Sequence, residues 1–360
     1  MRLPKPNKII SEKYVAGLSL FKGKQSKIKL SANESALGPS PKAIKEYLKV
    51  SKNFKRYPDS DGTFLRNILS KKFKLNSDRI ILGSGSDQIF ELICKAFLKR
   101  GDEVIVPEYS FIIYRIYSKM CGAKIIYSKE NNFTVSIENI LKKVTSRTKI
   151  VFLANPNNPT GTFITKKQIT KLRKRLRSNI LLVVDDAYFE YVKLRNYSPG
   201  LDLFKKYKNV VITRTFSKIY GLAGLRIGWG YSSKNIIDAL NKIKPPFNVG
   251  RPALFAASAA VRDSIWLNKE IKHVNRWNKI FFKEFEKMGI NTNKTHANFV
   301  LLNFDKVKIN SKKVFNSLAN SGILVRRMDP YGIKNSLRVT IGKNNENKKF
   351  ISKMRNIFNV

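Results

Sequence analysis

Between residues 79 and 217 the chain alternates two kinds of apolar pattern. Short, almost uninterrupted apolar runs recur: "RIILG" (79–83), "DEVIVP" (102–107), "KIIYS" (124–128), "KIVFLANP" (149–156), "NILLVVDDAY" (179–188) and "NVVITRTFS" (209–217). Between them lie longer stretches such as "SDQIFELICKAFLKR", whose apolar residues recur at three and four. Runs of the first kind are strands buried on both faces, and the second kind are amphipathic helices. Their alternation predicts an α/β fold, with a mostly parallel sheet covered by helices on both sides. After "KPPFN" the pattern changes. A long helical stretch over about 250–288 leads to "ANFVLLNF", another helix, "GILVRR" and "LRVTIG", which reads as a smaller α+β unit. The resulting division is an irregular arm over 1–40, a large domain over 41–248 and a small C-terminal domain over 249–360.

Function in such sheets gathers at the carboxyl ends of the strands, and four of those ends carry chemistry. "ILGSGSDQ" sets Gly83 and Gly85 between a strand and a helix, with Ser86 and Asp87 following. Free backbone N–H groups at a helix N-terminus suit one phosphate, although the same wording also fits an ordinary turn capped by Ser86 or Asp87. Gln88 occupies the third glycine position of a dinucleotide fingerprint, so that motif is absent. "NPNNPTG" (155–161) offers an asparagine amide on a turn fixed by prolines and glycine. "VVDDAY" ends an apolar strand in two carboxylates. The first, Asp185, is expected to be buried and to need a cationic or hydrogen-bonding partner. "TFSKIYGLAGLR" puts Lys218 at the fourth strand end among small residues. A phosphate ester of an aromatic ring bearing a basic nitrogen and an aldehyde meets all four groups. Pyridoxal phosphate is such a molecule, with lysine forming the Schiff base and aspartate holding the pyridinium.

Composition narrows the alternatives. The 360 residues suffice for one large and one small domain. No apolar run is long enough to span a bilayer, and the first residues show no secretory-signal pattern. Two cysteines, Cys94 and Cys121, argue against a disulfide framework or a zinc site and fit a reducing cytoplasm. A net charge of +45 suggests nucleic acid, but the lysines and arginines are scattered from end to end, with no finger spacing, repeat or basic tail. Weak, salt-sensitive sticking to polyanions is expected instead of a specific nucleic-acid site. With only His273 and His296 available, a histidine triad or cluster is unattractive and no metal is expected.

Seven motifs in order, "SANESALGPSP", "RYPD", "NPNNPTG", "VVDDAY", "TFSKIYGLAGLRIGW", "ANFVL" and "LRVTIG", span nearly the whole chain. On them the sequence resembles the fold-type I pyridoxal-phosphate aminotransferases, and among these the histidinol-phosphate aminotransferases. The resemblance implies that Lys218 is the Schiff-base lysine and that Asp185 pairs with the pyridine nitrogen. It assigns Asn158 and Tyr188 to the ring hydroxyl, and Gly85, Ser86, Asp87, Thr215, Ser217 and Arg226 to the phosphate side. Phe111, in preference to Tyr109, stacks on the ring. Tyr57 of "RYPD" reaches the neighbouring subunit's site, which implies a homodimer. Arg338 takes the α-carboxylate of glutamate, Arg326 and Tyr14 contact a substrate phosphate, and Asn33 completes the substrate side. The implied reaction is a pair of half-reactions in which glutamate becomes 2-oxoglutarate and imidazole-acetol phosphate becomes histidinol phosphate, with Lys218 moving the proton. Two positions depart from the family: Gln88 replaces a frequent acid, and Asp186 replaces a glutamate. An aromatic-amino-acid aminotransferase shares most of these motifs, and a decarboxylase acting on threonine phosphate is a further alternative. A pyridoxal-phosphate regulator would need a DNA-binding domain for which the chain has no spare segment.

Overall fold

The computed structural model describes residues 12–360 apart from 22 and 54; for Lys24, Gln25 and Ser51 it describes the backbone alone. Its centre is a seven-stranded sheet. The strands are β1 (Ile80–Gly83), β2 (Glu103–Pro107), β3 (Lys124–Ser128), β4 (Thr148–Ala154), β5 (Leu181–Asp185), β6 (Val210–Thr215) and β7 (Gly228–Tyr231). In space they run β1-β7-β6-β5-β4-β2-β3. Neighbours from β6 to β3 pair in parallel, while β7 is antiparallel to both β6 and β1.

The apolar runs sort their side chains strictly by pleat. Ile150, Phe152 and Ala154 of β4, with Leu181 and Val183 of β5, enter one core. Val151, Leu153, Leu182 and Val184 enter the other. A period of two with both faces apolar requires helices on both sides. Helices α1 (Gly85–Phe97) and α2 (Ile112–Met120) cover the first core through Phe90, Ile93 and Tyr114. The second is covered by helix Lys166–Arg175 and by α3 (Arg251–Arg262).

Beyond α3 the expected single helical stretch is two helices, because Asp263 ends α3 and its side chain accepts from Trp266 N to start α4 (Ser264–Lys287). A second, four-stranded antiparallel sheet follows, of β8 (Asn291–Thr292), β9 (Phe299–Asn303), β10 (Arg326–Arg327) and β11 (Ser336–Thr340), ordered β8-β9-β11-β10. Phe281 and Phe285 of α4 meet Phe350 of the last helix, α5 (Asn344–Phe358). "GILVRR" divides between sheets: Ile323–Leu324 pairs with Ile28–Lys29 of the arm, whereas Arg326–Arg327 joins β11. The arm is thus anchored by strand pairing, reinforced by Thr340 N donating to Leu30 O at 2.9 Å. Among the described residues, no helix is long and apolar enough to cross a membrane.

Candidate active site

The parallel strands all present their carboxyl ends at one edge, where a cleft of about 380 Å³ opens between the large sheet, β10–β11 and the arm. It is lined by Tyr14, Asn33, Ser86, Asp87, Phe111, Asn158, Asp185, Tyr188, Thr215, Ser217, Lys218, Arg226, Arg326 and Arg338. All but two of the sequence-derived candidates therefore converge. Gly85 stands just behind the lining, and Tyr57 lies elsewhere, 79% exposed and stacked on Phe247 at 4.5 Å.

At the phosphate end, α1 begins at Gly85 with Ser84, not Ser86 or Asp87, at its N-cap. Gly85 has φ +75°, and a Cβ there would lie 2.3 Å from Arg226 Nη2. Gly228 of β7 backs onto the same turn, where a Cβ would lie 2.5 Å from Ser86 N. Both glycines are therefore required for the close approach of Arg226 and β7 to the helix start. Arg226, itself at φ 49°, donates to Asp87 Oδ2 at 3.1 Å and to Ser217 Oγ at 3.2 Å. Burial raises the Asp87 pKa against the opposing charges of Arg226 and Lys218. These are a guanidinium, two hydroxyl-bearing residues (Ser86 and Ser217) and a helix N-terminus around one end of a cleft, the donor set an oxyanion needs.

At the centre, Asp185 is buried and its partners are neutral. Tyr114 Oη donates to Oδ2 at 2.6 Å, Ala187 N to Oδ1 at 3.2 Å, and Thr213 Oγ1 to Oδ1 at 3.4 Å. Burial lifts its pKa to about 7, against the bond from Tyr114. The hydrogen-bonding partner expected from the sequence is present, while the cationic one is not supplied by the described residues. Opposite, Lys218 Nζ donates to Ala32 O at 3.2 Å. Burial, followed by the charge of Arg338, lowers its pKa to about 8. An amine held so low is a usable base and nucleophile near neutral pH.

Asn158 and Tyr188 flank this pair. Asn158 Oδ1 accepts from Arg338 Nη1, which turns the amide, and Tyr188 Oη accepts from Asn33 Nδ2 at 3.0 Å. Asn33 adopts φ 55°, a left-handed turn that asparagine tolerates. Arg338 also donates to Ser31 O at 3.2 Å, yet its buried Nε has no partner. Arg326, equally buried, donates to Val15 O at 2.6 Å. Neither guanidinium meets a carboxylate among the described residues, so two fixed forks face the cleft unpaired. Tyr14 sits nearby, its pKa raised by burial and by Tyr331. Phe111 lines the cleft, while Tyr109 turns away onto Phe133 at 5.6 Å.

Sequence reasoning missed two supports. Tyr114 reads as one more apolar position of α2, and only a search for the donor to Asp185 would have singled it out. Glu130 and Asn157 staple the loops that carry Phe111 and Asn158: Glu130 Oε1 accepts from Tyr109 N at 3.3 Å and from Asn157 Nδ2 at 3.4 Å, and Asn157 Nδ2 donates to Tyr109 O at 2.9 Å.

The model of the class I and II aminotransferase family matches residues 25–354. The histidinol-phosphate aminotransferase of Pelagibacter ubique (strain HTCC1062) is 51% identical over the full length of both chains. That of Paramagnetospirillum magneticum (strain ATCC 700264 / AMB-1) is 39% identical over 98% of this chain and 97% of its own. The crystal structure of the histidinol-phosphate aminotransferase from Sinorhizobium meliloti, in complex with pyridoxal-5'-phosphate, superposes with TM-score 0.92 at 23% identity over 99% of this chain and 98% of that one. At that identity the likeness establishes the fold, the fold-type I architecture that the resemblance implied. With the family model and the full-length relative in agreement, the chain belongs to the class I and II aminotransferases, in the family of histidinol-phosphate aminotransferases.

Proposed function

We propose that this protein uses pyridoxal phosphate to exchange an amino group between glutamate and imidazole-acetol phosphate, yielding 2-oxoglutarate and histidinol phosphate. One observation carries the reading. A buried lysine with a lowered pKa faces a buried carboxylate that lacks a cation, between an oxyanion cradle and two unpaired arginines. When bound, the cofactor supplies an electron-poor ring that stabilises negative charge at the substrate α-carbon.

The residues suit that group. Asp185, with Tyr114 behind it, keeps a ring nitrogen protonated and gains the missing positive partner. Asn158 and Tyr188 serve the ring hydroxyl, and Phe111 covers the ring face. Ser86, Asp87, Thr215, Ser217 and Arg226, with the N–H groups at Gly85, hold the phosphate ester. Lys218 is the amine that would hold the aldehyde carbon, and when free it would serve as the base and acid that move a proton between the substrate α-carbon and that former aldehyde carbon. Arg338 takes the α-carboxylate of either substrate by its planar fork, and Asn33, which donates to Tyr188 Oη, completes the substrate side. Arg326 and Tyr14 take the phosphate of the imidazole substrate.

We further divide the chain into an arm (1–40), a cofactor domain (41–248) and a small domain (249–360). Tyr57, exposed and outside the lining of its own cleft, suits a homodimer in which it reaches the partner's phosphate site. Free Cys94 and Cys121 suit the cytoplasm.

The test is a substrate panel on purified enzyme at raised salt, where diffuse attraction of phosphate to a highly basic protein fades. Histidinol phosphate is expected to exceed histidinol in kcat/KM by at least about a hundredfold, since two charge-assisted bonds contribute ~1.5–3 kcal/mol each. Arg326→Ala erases that preference and spares the glutamate half-reaction. If phenylalanine outruns histidinol phosphate, the aromatic-aminotransferase reading replaces this one and Arg326 becomes a structural residue.

A further inference from the structure

Residues 31–40 form neither helix nor strand, and the first four of them line the catalytic cleft. A part-buried segment of that kind must find side-chain partners for its backbone groups. On the cleft side, Ala32 O accepts from Lys218 Nζ at 3.2 Å, and Asn33 Nδ2 donates to Tyr188 Oη at 3.0 Å. Farther along, Gly38 meets the turn that starts at Lys218. Gly221 N donates to Lys218 O at 3.0 Å, and a Cβ on Gly221 would lie 2.3 Å from Gly38 C. One segment thus touches the lysine at its amine and at the turn that carries it.

The same segment is held from behind by α4. Trp266 and Glu270 stand four residues apart, on one face of that helix. Trp266 Nε1 donates to Gly38 O at 3.0 Å. Glu270 is wholly buried, and its two oxygens accept from successive backbone donors, Ala36 N at 3.2 Å and Leu37 N at 3.1 Å. The Ser35 hydroxyl faces the same carboxylate, and no cation pairs with it among the described residues. Burial raises the Glu270 pKa against these three groups. An apolar side chain would pack the arm at lower cost. A carboxylate does what an apolar group cannot, fixing two N–H groups in direction by charge-assisted bonds.

On the reading of Lys218 given above, we propose that Glu270 is a positioning residue for transamination. From α4 it fixes residues 35–38, and through the contacts of Gly38 and Ala32 it sets where Lys218 stands. It touches neither substrate nor cofactor.

Glu270→Gln tests this at constant volume, because an amide accepts only one of the two N–H groups and turns its own N–H toward the other. In the apoprotein, hydrogen exchange at Ala36 and Leu37 is expected to quicken by at least about tenfold. Lys218, followed in the same apoprotein as a ¹³C-methylated amine, is expected to titrate at least about half a pH unit higher as water gains access. In holoenzyme at saturating glutamate, the first half-reaction slows by about ten- to a hundredfold, the cost of a small misplacement. The KM for glutamate changes by less than about threefold, since Arg338 still takes the carboxylate. The control Glu284→Gln removes the same charge from α4, at its pair with Arg355, and moves none of these. Should Glu270→Gln fail to fold, Trp266→Phe keeps the aromatic packing, loses only the bond to Gly38 O, and is expected to shift each readout in the same direction. Unmoved exchange, quickened exchange with an unmoved Lys218 titration and rate, or an equal effect of Glu284→Gln would each overturn the proposal. A parent enzyme in which borohydride fixes the cofactor on another lysine would overturn the role of Lys218 itself, and this proposal with it.

Discussion

Asp185 and Asp186 are neighbours in the chain, both buried, and they face opposite ways from the end of β5. Asp186 turns into the protein. It accepts Gly200 N with both oxygens, at 3.1 and 3.0 Å, and pairs with Arg214 at 3.3 Å. That guanidinium lies 3.5 Å over Phe189 and near Phe73 and Trp229. Asp185 turns into the cleft and finds only hydroxyls and one amide. The pKa values follow: burial raises both, but Arg214 limits Asp186 to about 6 whereas Asp185 reaches about 7. A buried carboxylate that brings its own cation is part of the scaffold, and one without a cation is shaped for something that arrives with a positive charge.

The largest effect tests the cleft side alone. Lys218→Ala is expected to reduce turnover by at least about ten-thousandfold, because nucleophile and proton carrier disappear together. The variant should still copurify with pyridoxal phosphate through Arg226 and the α1 N-terminus. Loss of cofactor together with activity would show that the phosphate cradle does not hold it unaided.

The paired aspartates then separate. Asp186→Asn leaves Arg214 buried without its charge partner and should cost about 3–5 kcal/mol of stability, with activity per folded molecule close to that of the parent. Asp185→Asn should lower kcat by roughly a hundred- to a thousandfold while the apoprotein gains stability at pH 8. The sign follows from the raised pKa. Folded Asp185 holds its proton up to about pH 7, but the unfolded chain releases it near the ordinary aspartate value of 3.8. Its contribution is therefore full below that lower value and lost as pH rises through about 7. Asparagine removes the loss. Denaturant melts of the apoproteins at pH 5 and pH 8 decide it, and a D185N apoprotein no more stable than the parent at pH 8 would contradict the assignment.

Legibility in the amino-acid sequence follows the same division. The sheet is legible because β4, β5 and β6 are apolar on both faces, and Lys218, Asp185 and Asn158 because they interrupt those runs at the ends. β7 is not legible: "GWGY" is short and half glycine, and it is held by its two neighbours more than by strand propensity. The break at Asp263 is hidden inside a continuous helical pattern. Arg214 is equally hidden, since an arginine inside "VVITRT" gives no hint that Asp186 waits beside it. In "VRR" the pleat decides: Arg326 is buried in the cleft, and Arg327 turns out to pair with Asp329 at 3.0 Å.

A smaller effect joins the two charges of the substrate side. Arg338→Gln should raise the KM for glutamate by about a hundredfold, the loss of a bidentate carboxylate contact. It should also move Lys218 upward from about 8, because Arg338 is the second cause of its lowered pKa after burial. Titration of the apoprotein by NMR of a reductively ¹³C-methylated Lys218 reads that shift. An unmoved titration would mean that burial alone sets it.

The smallest expected effect concerns the donor behind Asp185. Tyr114 is fully buried, stacked on Phe152 at 4.8 Å, and its hydroxyl bond to Oδ2 opposes the upward shift of Asp185. Tyr114→Phe keeps the ring and the stack but removes that bond, so Asp185 should titrate higher in the apoprotein. In the holoenzyme a positive ring nitrogen would restore most of the carboxylate's stabilisation, leaving a deficit of one hydrogen bond to a charged group, ~1.5–3 kcal/mol at most. Turnover should therefore fall by only about tenfold, with the larger loss on the acid side of the pH profile, where a less stabilised Asp185 is protonated first. Combined with Asp185→Asn, Tyr114→Phe should add almost nothing, because both act through the same carboxylate. Full additivity in that double variant would show that Tyr114 supports the site by packing on Phe90 and Phe152, and the contrast between the two faces of β5 would then rest on Arg214 alone.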